Sequence, residues 1–132
     1  MAQTLVEIQN LTKHYQQGGR ERTILDSVNF SITEGEFFVL LGKSGSGKST
    51  LLNLISTIDT PDSGNIIISG TDVTKLSERK RTLFRREQIG IVFQFFNLIP
   101  TLTVLENITL PRELGGAAFA EASRTARDLL EQ

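Results

Sequence analysis

The sequence contains no cysteine, and this absence excludes several kinds of chemistry. Without thiols the chain has no disulfide, no thiolate metal site and no cysteine nucleophile. An excess of charge of one sign is also missing, because 14 lysine and arginine residues nearly cancel 15 aspartate and glutamate residues. A general nucleic-acid-binding protein usually has a basic excess, so this balance argues against that class.

Long apolar runs are absent as well, and none approaches the roughly 20 residues that a membrane-spanning helix needs. The N-terminal stretch MAQTLVEIQN has no basic segment followed by an apolar one, so it does not resemble a signal peptide. With 132 residues, the chain has the size of one ordinary domain. We therefore expect a cytoplasmic protein that contacts a membrane only through a partner.

The pattern of apolar residues indicates an α/β protein with a β-rich N-terminal part. The stretch FFVLL (37–41) is apolar at every position, which is typical of a strand inside a parallel sheet covered by helices. The capping-box spacing of Thr103 and Glu106 predicts a short helix that ends at Pro111. Strands are predicted over residues 5–15, 27–33, 37–41, 65–69 and 89–93, and helices over residues 48–58, 76–88, 103–111 and 119–130.

The stretch GKSGSGKST (42–50) has the clearest chemical meaning. Gly42, Gly47, Lys48 and Ser49 match a phosphate-binding loop, and the strand before it and the helix after it argue against a chance match. Glycines let backbone N–H groups approach a phosphate, and the helix start adds a positive dipole end. Lys48 is predicted to lie between the β- and γ-phosphates, and the Ser49 hydroxyl to bind Mg²⁺. The further predicted nucleotide contacts are Ser44, Gly45, Ser46 and Thr50.

Three features outside this loop are candidates for function. Tyr15 is able to stack on adenine, although aromatic residues more often cover a strand end. Gln94 follows a predicted strand at the ligand side of an α/β sheet, where its amide could contact Mg²⁺ or position water. A glutamine in this place is otherwise a solvent-facing polar residue. The apolar loop FFNLIPTL (95–102) is either core or a docking surface for a partner.

In this order, the motifs resemble the N-terminal half of the ATP-binding subunit of an ATP-binding cassette (ABC) transporter. Tyr15 matches that family's adenine-stacking aromatic residue, GKSGSGKST its phosphate loop, and IGIVFQFFNLIPTLTVLENI (89–108) its glutamine loop. The stretch RREQIGIVFQFFNLIPTLTVLENITLP (85–111) is most similar to the branch that serves lipoprotein release and macrolide-type export. The resemblance implies a P-loop NTPase fold with an N-terminal antiparallel β subdomain and an incomplete parallel core sheet.

The resemblance also implies cofactors and partners. ATP and Mg²⁺ would be held between two nucleotide-binding subunits, with Lys48 and Gln94 acting in catalysis and Ser49 and Gln94 at the metal. A membrane-embedded transporter subunit would contact the region near residues 95–101, from Phe95 to Thr101. Such a protein is cytoplasmic and peripheral on the inner face of the cell membrane.

Several parts of that family's machinery are missing from the sequence. There is no LSGGQ-like signature, no apolar strand that ends in Asp-Glu and no later switch histidine, and Lys43 replaces a residue that is more often uncharged. We therefore interpret residues 1–132 as the N-terminal portion of a single nucleotide-binding domain, truncated after the glutamine loop and the start of the helical subdomain. Without a general base it is not expected to hydrolyse ATP appreciably. Its strands at 37–41 and 89–93 would lack neighbours, so we expect marginal stability in isolation.

Two other functions stay open at this point. The chain could be a non-catalytic nucleotide-binding or interaction fragment that docks on the transporter membrane subunit. It could also bind nucleic acid through KLSERKRTLFRR (75–86), which has six basic residues and one acidic residue. A solvated helix face explains this basic stretch better, so no nucleic-acid partner is expected.

Overall fold

The computed structural model describes residues 3–132, which form two compact units that divide after Gly90. The first unit contains β1 (Thr4–Gln17), β2 (Arg20–Thr33), α1 (Lys48–Ile55), β3 (Ser63–Ile68), β4 (Thr71–Asp72), a 3₁₀ turn (Val73–Lys75) and α2 (Glu78–Gln88). The second unit contains α3 (Val104–Leu114) and α4 (Phe119–Leu130). The predicted β-rich start and the predicted helix after the phosphate-binding loop are therefore confirmed.

The first unit is built on one antiparallel sheet with the strand order β2-β1-β3-β4. β1 and β2 form a hairpin around Gly18 and Gly19, whose φ angles of 61° and 76° lie in the left-handed region. A two-residue hairpin turn that matches the twist of its strands needs two positive φ angles, and glycine adopts them without strain. The register that follows from this turn places Tyr15 directly opposite Arg22.

The apolar core of the first unit joins α1 to the sheet. Ile8, Leu11 and Ile66 of the sheet lie in one buried cluster with Leu51 and Leu54 of α1. Leu51 and Leu54 are three residues apart, so they share one face of the helix. Burial of each large apolar side chain stabilises the fold by roughly 1.5–3 kcal/mol relative to exposure. The cluster therefore fixes the position of the helix that follows the phosphate-binding loop.

The predicted strands at residues 37–41 and 89–93 are not formed. Phe37, Leu41 and Val92 are 92%, 85% and 100% exposed. An apolar run indicates a tendency to be buried, but a strand forms only where a neighbouring strand completes its backbone hydrogen bonds. Within residues 3–132 no strand pairs with either segment, so the strands expected in the incomplete parallel core sheet are not formed, whereas the predicted N-terminal antiparallel β subdomain is observed.

The start of α3 in the second unit agrees with the predicted capping box. Thr103 Oγ1 accepts a hydrogen bond from the Glu106 N–H, and the Glu106 carboxylate accepts one of 2.7 Å from the Thr103 N–H. The predicted end at Pro111 was wrong, because the helix continues to Leu114. Proline removes one backbone donor, but its own carbonyl still accepts a hydrogen bond of 3.1 Å from the Gly115 N–H. The last turn therefore forms around the proline.

The helix α4 lies against α3 in the second unit through small residues. Ala122 and Ala126 are both buried, and they are four residues apart on one face of α4. Small side chains let two helix backbones approach closely, and Arg112 adds a hydrogen bond of 2.9 Å to Thr125 Oγ1. Of the helices in the described part of the chain, none has the length and apolar character needed to cross a membrane.

Candidate nucleotide-binding site

The phosphate-binding loop leads into α1 without a side chain that caps the helix. Gly47 occupies the N-cap position with a φ of 92°, and the first turn of α1 contains no acidic residue. The first N–H groups of an α-helix have no carbonyl partner within the helix, and the helix dipole makes this end positive. The start of α1 is therefore suited to bind an anion.

The shape of the loop requires glycine at defined positions. A Cβ atom on Gly42 would lie 2.6 Å from Ser46 Oγ, and one on Gly47 would lie 2.9 Å from Ile24 Cγ2. Gly45 and Gly47 have φ angles of 77° and 92°, which residues with a side chain rarely adopt. A loop built in this way can bring its backbone close to a phosphate, so its geometry fits the predicted ligand.

The ammonium group of Lys48 lies across the loop. Its Nζ donates hydrogen bonds of 2.6 Å to the carbonyl oxygens of both Gly42 and Lys43, and it lies 3.4 Å from Ser46 Oγ. These contacts hold a positive charge inside the curve of the loop, next to the start of α1. Phosphate oxygens would be stronger acceptors than these neutral groups, because attraction between opposite charges would add to the hydrogen bond.

A cleft of about 520 Å³ is lined by the loop, the start of α1 and the β1–β2 hairpin. This volume lies within the range of cofactor sites. The predicted nucleotide contacts that line it are Tyr15, Ser44, Gly45, Gly47, Lys48, Ser49 and Thr50. Gly42 and Ser46 contribute through the loop, where both contact the Lys48 ammonium. The structure therefore brings together the predicted contacts of the first unit.

Two residues that the sequence interpretation missed also line the cleft, namely Arg22 and Ile24 of β2. Ile24 lies where the register of β2 against β1 shifts, between Thr23 and Leu25. Ile24 lies beside Gly47, and Arg22 lies opposite Tyr15. A signal for Arg22 existed, because counting outward from the two-glycine turn pairs position 15 with position 22.

Tyr15 is held at the cleft by a hydrogen bond from its phenol to Asp59 Oδ2 at 2.8 Å. Partial burial and this hydrogen bond raise the pKa of the Tyr15 phenol above its ordinary value of 10.0. Burial opposes ionisation of Asp59, but hydrogen bonds from Thr60, Tyr15 and Lys13 outweigh it and hold the pKa of that carboxyl below 3.8. Tyr15 is therefore a neutral aromatic ring in the wall of the cleft, with a fixed hydroxyl group.

Gln94 belongs to the second unit, where its side chain is exposed in a bend. Its role at the metal or at water stays a prediction. In the part of the chain that the structure describes, no group of three or more His, Cys, Asp or Glu side chains could hold a metal ion. Ser49, which lines the cleft, would offer Mg²⁺ a hydroxyl ligand beside oxygens of the nucleotide, a donor set that Mg²⁺ accepts in nucleotide sites.

The apolar loop of the second unit is exposed rather than packed in a core. Phe95, Phe96 and Leu98 are all exposed, and Phe96 is 94% accessible to solvent. Asn107 holds the loop in shape, because its Oδ1 accepts a hydrogen bond of 2.7 Å from the Ile99 N–H and its amide donates to the Ile99 carbonyl. Core packing of this loop is therefore not observed within the described residues.

Three of the six cations in the predicted basic stretch bind groups of the chain itself. Lys75 pairs with Asp72, Arg81 pairs with Glu78, and Arg85 donates to a carbonyl oxygen of the loop after α1. These contacts favour a solvated helix face over a surface that follows nucleic-acid phosphates. The absence of a nucleic-acid partner stays a prediction.

Known proteins that are similar to this chain belong to one family. The ABC transporter family matches residues 25–132 of the chain. Two uncharacterized ABC transporter ATP-binding proteins, from two strains of Mycobacterium tuberculosis, are each 58% identical over 130 residues, which is 98% of this chain and 52% of each relative. The chain thus spans about half the length of the curated relatives it matches.

Solved structures match the chain along almost its whole length. A dimeric post-hydrolysis structure of the ATP-binding cassette MJ0796, bound to ADP and Pi, has a TM-score of 0.88 and 42% identity over 96% of this chain and 56% of that chain. A second dimeric structure of MJ0796, a bacterial ABC transporter cassette, matches with the same TM-score, 41% identity and the same coverage. The predicted α/β P-loop NTPase class is therefore confirmed. This chain belongs to the ABC transporter family and has the fold of its ATP-binding domain.

Proposed function

We propose that the cleft binds Mg²⁺–ATP and that this chain is the N-terminal portion of a nucleotide-binding domain that energises an ABC transporter. One observation carries the proposal: an uncapped helix start, a glycine loop and the Tyr15 ring line the same cleft. A triphosphate needs several N–H donors and a cation, whereas adenine needs a planar apolar surface. The cleft offers both kinds of surface to one ligand.

Each predicted residue then has a defined task. Bound Mg²⁺–ATP supplies the phosphoanhydride bond whose hydrolysis releases free energy. Backbone N–H groups of residues 44–50 bind phosphate oxygens, Lys48 neutralises their charge, and Ser49 offers a metal ligand. Tyr15 stacks on the adenine ring. Gln94 acts at the metal or orients water, as the family resemblance implies.

Two protein partners belong to the proposal. A second nucleotide-binding subunit would complete the site, and the dimeric structures of MJ0796 support this arrangement. A membrane-embedded transporter subunit would dock near residues 95–101, where exposed apolar side chains lie on a shaped loop. The protein would then work on the cytoplasmic face of the membrane. The sequence of residues 85–111 favours the lipoprotein-release and macrolide-export branch.

A second candidate function is a non-catalytic nucleotide-binding fragment that docks on the membrane subunit. The observation in its favour is that the phosphate-binding loop and the exposed apolar loop are both present in the described residues. Hydrolysis needs a positioned base or an equivalent group, so the two candidates differ in phosphate release rather than in nucleotide binding.

The test titrates the 132-residue chain with Mg²⁺–ATP and then measures phosphate release, with and without the C-terminal half of a related cassette. Saturable binding that Lys48→Ala removes supports the nucleotide site. Release that appears only after the C-terminal half is added supports the energising subunit, and binding without release in both cases supports the fragment. No binding of Mg²⁺–ATP under either condition overturns the proposal.

A further inference from the structure

Asp59 binds two side chains of β1 at once, and one of them is Tyr15. The Tyr15 phenol donates to Asp59 Oδ2 at 2.8 Å, and Lys13 Nζ donates to Asp59 Oδ1 at 3.0 Å. Lys13 and Tyr15 are two residues apart in one strand, so they project from the same face. The carboxylate therefore uses one oxygen for each of them.

Lys13 fixes this arrangement further. Its side chain is only 10% exposed, and its Nζ also donates a hydrogen bond of 2.7 Å to the Thr60 carbonyl. The same ammonium lies 5.2 Å from the centre of the Tyr15 ring, within the range of a cation–π contact. Asp59 thus restrains the hydroxyl group of Tyr15, and the Lys13 ammonium restrains its aromatic ring.

A separate contact attaches the same loop to the backbone of β1. Asp62 Oδ2 accepts a hydrogen bond of 2.6 Å from the His14 N–H, and the Asp62 N–H donates one of 3.0 Å to the Thr12 carbonyl. This attachment does not use the Tyr15 hydroxyl. Removal of the hydroxyl should therefore free the ring without detaching the loop.

The position of Asp59 in the chain connects the two ends of the cleft. Asp59 lies in the loop that directly follows α1, and α1 begins with Lys48 of the phosphate-binding loop. A single short helix therefore joins the group that would bind phosphate to the group that orients the aromatic ring. Leu51 and Leu54 hold this helix in the core. The Lys48 end and the Asp59 end of the cleft therefore keep a fixed position relative to each other.

We propose that Asp59 is a positioning residue that orients the Tyr15 ring for stacking on the nucleobase, and so sets how much the base adds to affinity. Asp59 acts through Tyr15 and is not itself a lining residue of the cleft. The inference rests on the proposed function, because it takes a purine nucleotide as the ligand. The raised pKa of the Tyr15 phenol, caused by partial burial and the Asp59 hydrogen bond, is consistent with it.

The first test compares two ligands, Mg²⁺–ATP and Mg²⁺–tripolyphosphate, on five forms of the chain. Tyr15→Phe and Asp59→Asn should each weaken ATP binding about tenfold. The double variant should bind ATP no more weakly than either single variant, since both substitutions remove the same Tyr15–Asp59 hydrogen bond. Binding of tripolyphosphate, which has no base, should change less than about twofold. Asp62→Asn is the matched control, because it removes a neighbouring carboxylate that does not bind Tyr15.

The second test needs no nucleotide. Tyr15 is the only tyrosine and the sequence has no tryptophan, so ultraviolet absorbance of the phenolate reports this residue alone. The phenol should titrate above pH 10.0 in the parent chain and return toward 10.0 in Asp59→Asn but not in Asp62→Asn.

The outcomes separate this inference from the proposed function. Three results would each overturn the positioning role of Asp59. They are losses of ATP affinity that multiply in the double variant, an equal loss of affinity for tripolyphosphate, and a Tyr15 phenol titration that is not shifted. Failure of the parent chain to bind either ligand would overturn the nucleotide site and the positioning role with it. A shifted phenol titration in that case would show that the Asp59–Tyr15 bond exists and that the ligand assignment failed.

Discussion

The ammonium nitrogen of Lys48 lies 2.6 Å from the carbonyl oxygen of Gly42 and donates a hydrogen bond to it. The contact joins residues six apart and closes the phosphate-binding loop on itself. The start of α1, which has no side-chain cap, lies directly beside this charge. The loop thus holds its shape through its own cation, and such preorganisation lowers the ordering cost of binding an anion.

Replacement of this cation should reduce nucleotide affinity. We expect Lys48→Ala to weaken Mg²⁺–ATP binding about 10- to 100-fold, because a hydrogen bond to a charged group contributes about 1.5–3 kcal/mol. Lys43→Ala removes an exposed cation from the same loop and should cost less than about threefold, as exposed charges are screened. Isothermal titration measures both. Equal losses would mean that only the total charge of the loop matters.

Arg22 should contribute to affinity although no motif includes it. It lines the cleft opposite Tyr15. We expect Arg22→Ala to weaken Mg²⁺–ATP binding about threefold to fivefold, since an exposed cation that lines the cleft near a polyanion contributes up to about 1 kcal/mol. Arg20→Ala removes the same charge at the hairpin turn, outside the cleft. An equal effect of the two substitutions, measured at the same salt concentration, would contradict a local contact.

The two left-handed glycines of the loop should differ in their effect on stability. Gly47→Ala should lower the free energy of unfolding by about 2–4 kcal/mol, because strain at φ of 92° adds to a contact of 2.9 Å with Ile24. Gly45→Ala has similar strain at φ of 77° but open space around the new Cβ, so about 1–2 kcal/mol is expected. Urea unfolding gives both values. A Gly45 variant as unstable as the Gly47 variant would refute the steric argument.

The capping box of α3 offers a test in the second unit. Thr103→Ala should destabilise the start of the helix by about 1 kcal/mol, because the Glu106 N–H loses its acceptor. Hydrogen exchange of the amides in the first turn of α3 measures the effect. Thr101→Ala, two residues earlier and outside the cap, should leave their exchange unchanged. Faster exchange in both variants would indicate general loosening of the loop.

The acid stability of the first unit should depend on Asp72. Burial opposes its ionisation, but hydrogen bonds from Lys75, Thr74 and Asn65 outweigh it and lower its pKa from 3.8 to about 2. Because the folded pKa lies below the ordinary one, the carboxylate stabilises the fold above about pH 4, and this contribution is lost as the pH falls toward 2. Asp72→Asn should flatten this loss in urea titrations at several pH values. The exposed Asp128 in α4 is the control, and an unchanged slope in Asp72→Asn would disprove the linkage.

Patterns between near neighbours in the chain predicted most of the helices and strands correctly. The strand at 27–33, the helix after the phosphate-binding loop and the Thr103–Glu106 cap were each predicted from residues a few positions apart. Their geometry depends on local hydrogen bonds and φ angles, which a sequence pattern describes directly. The segments at 37–41 and 89–93 were predicted wrongly, since a strand also needs a partner that local pattern does not supply.

The residues of the candidate site also fall into those that the sequence predicted and those that only the structure revealed. Spacing alone located Gly42, Gly47, Lys48 and Ser49, because a phosphate-binding loop is a continuous stretch whose function depends on its own backbone. Asp59 could not be found like this, as it lies 44 residues from the Tyr15 hydroxyl that it binds. The contact forms only when the loop after α1 meets β1 in the folded chain.

Residue types at short spacing therefore determined the phosphate loop, the hairpin, the helix cap and membership of the ABC transporter family. Packing of distant segments decided which side chains share the cleft, how Tyr15 is oriented and which apolar runs remain unpaired. The physical reason is that turns and caps are satisfied by neighbouring residues, whereas burial, strand pairing and ion pairs depend on groups that approach only in the folded chain.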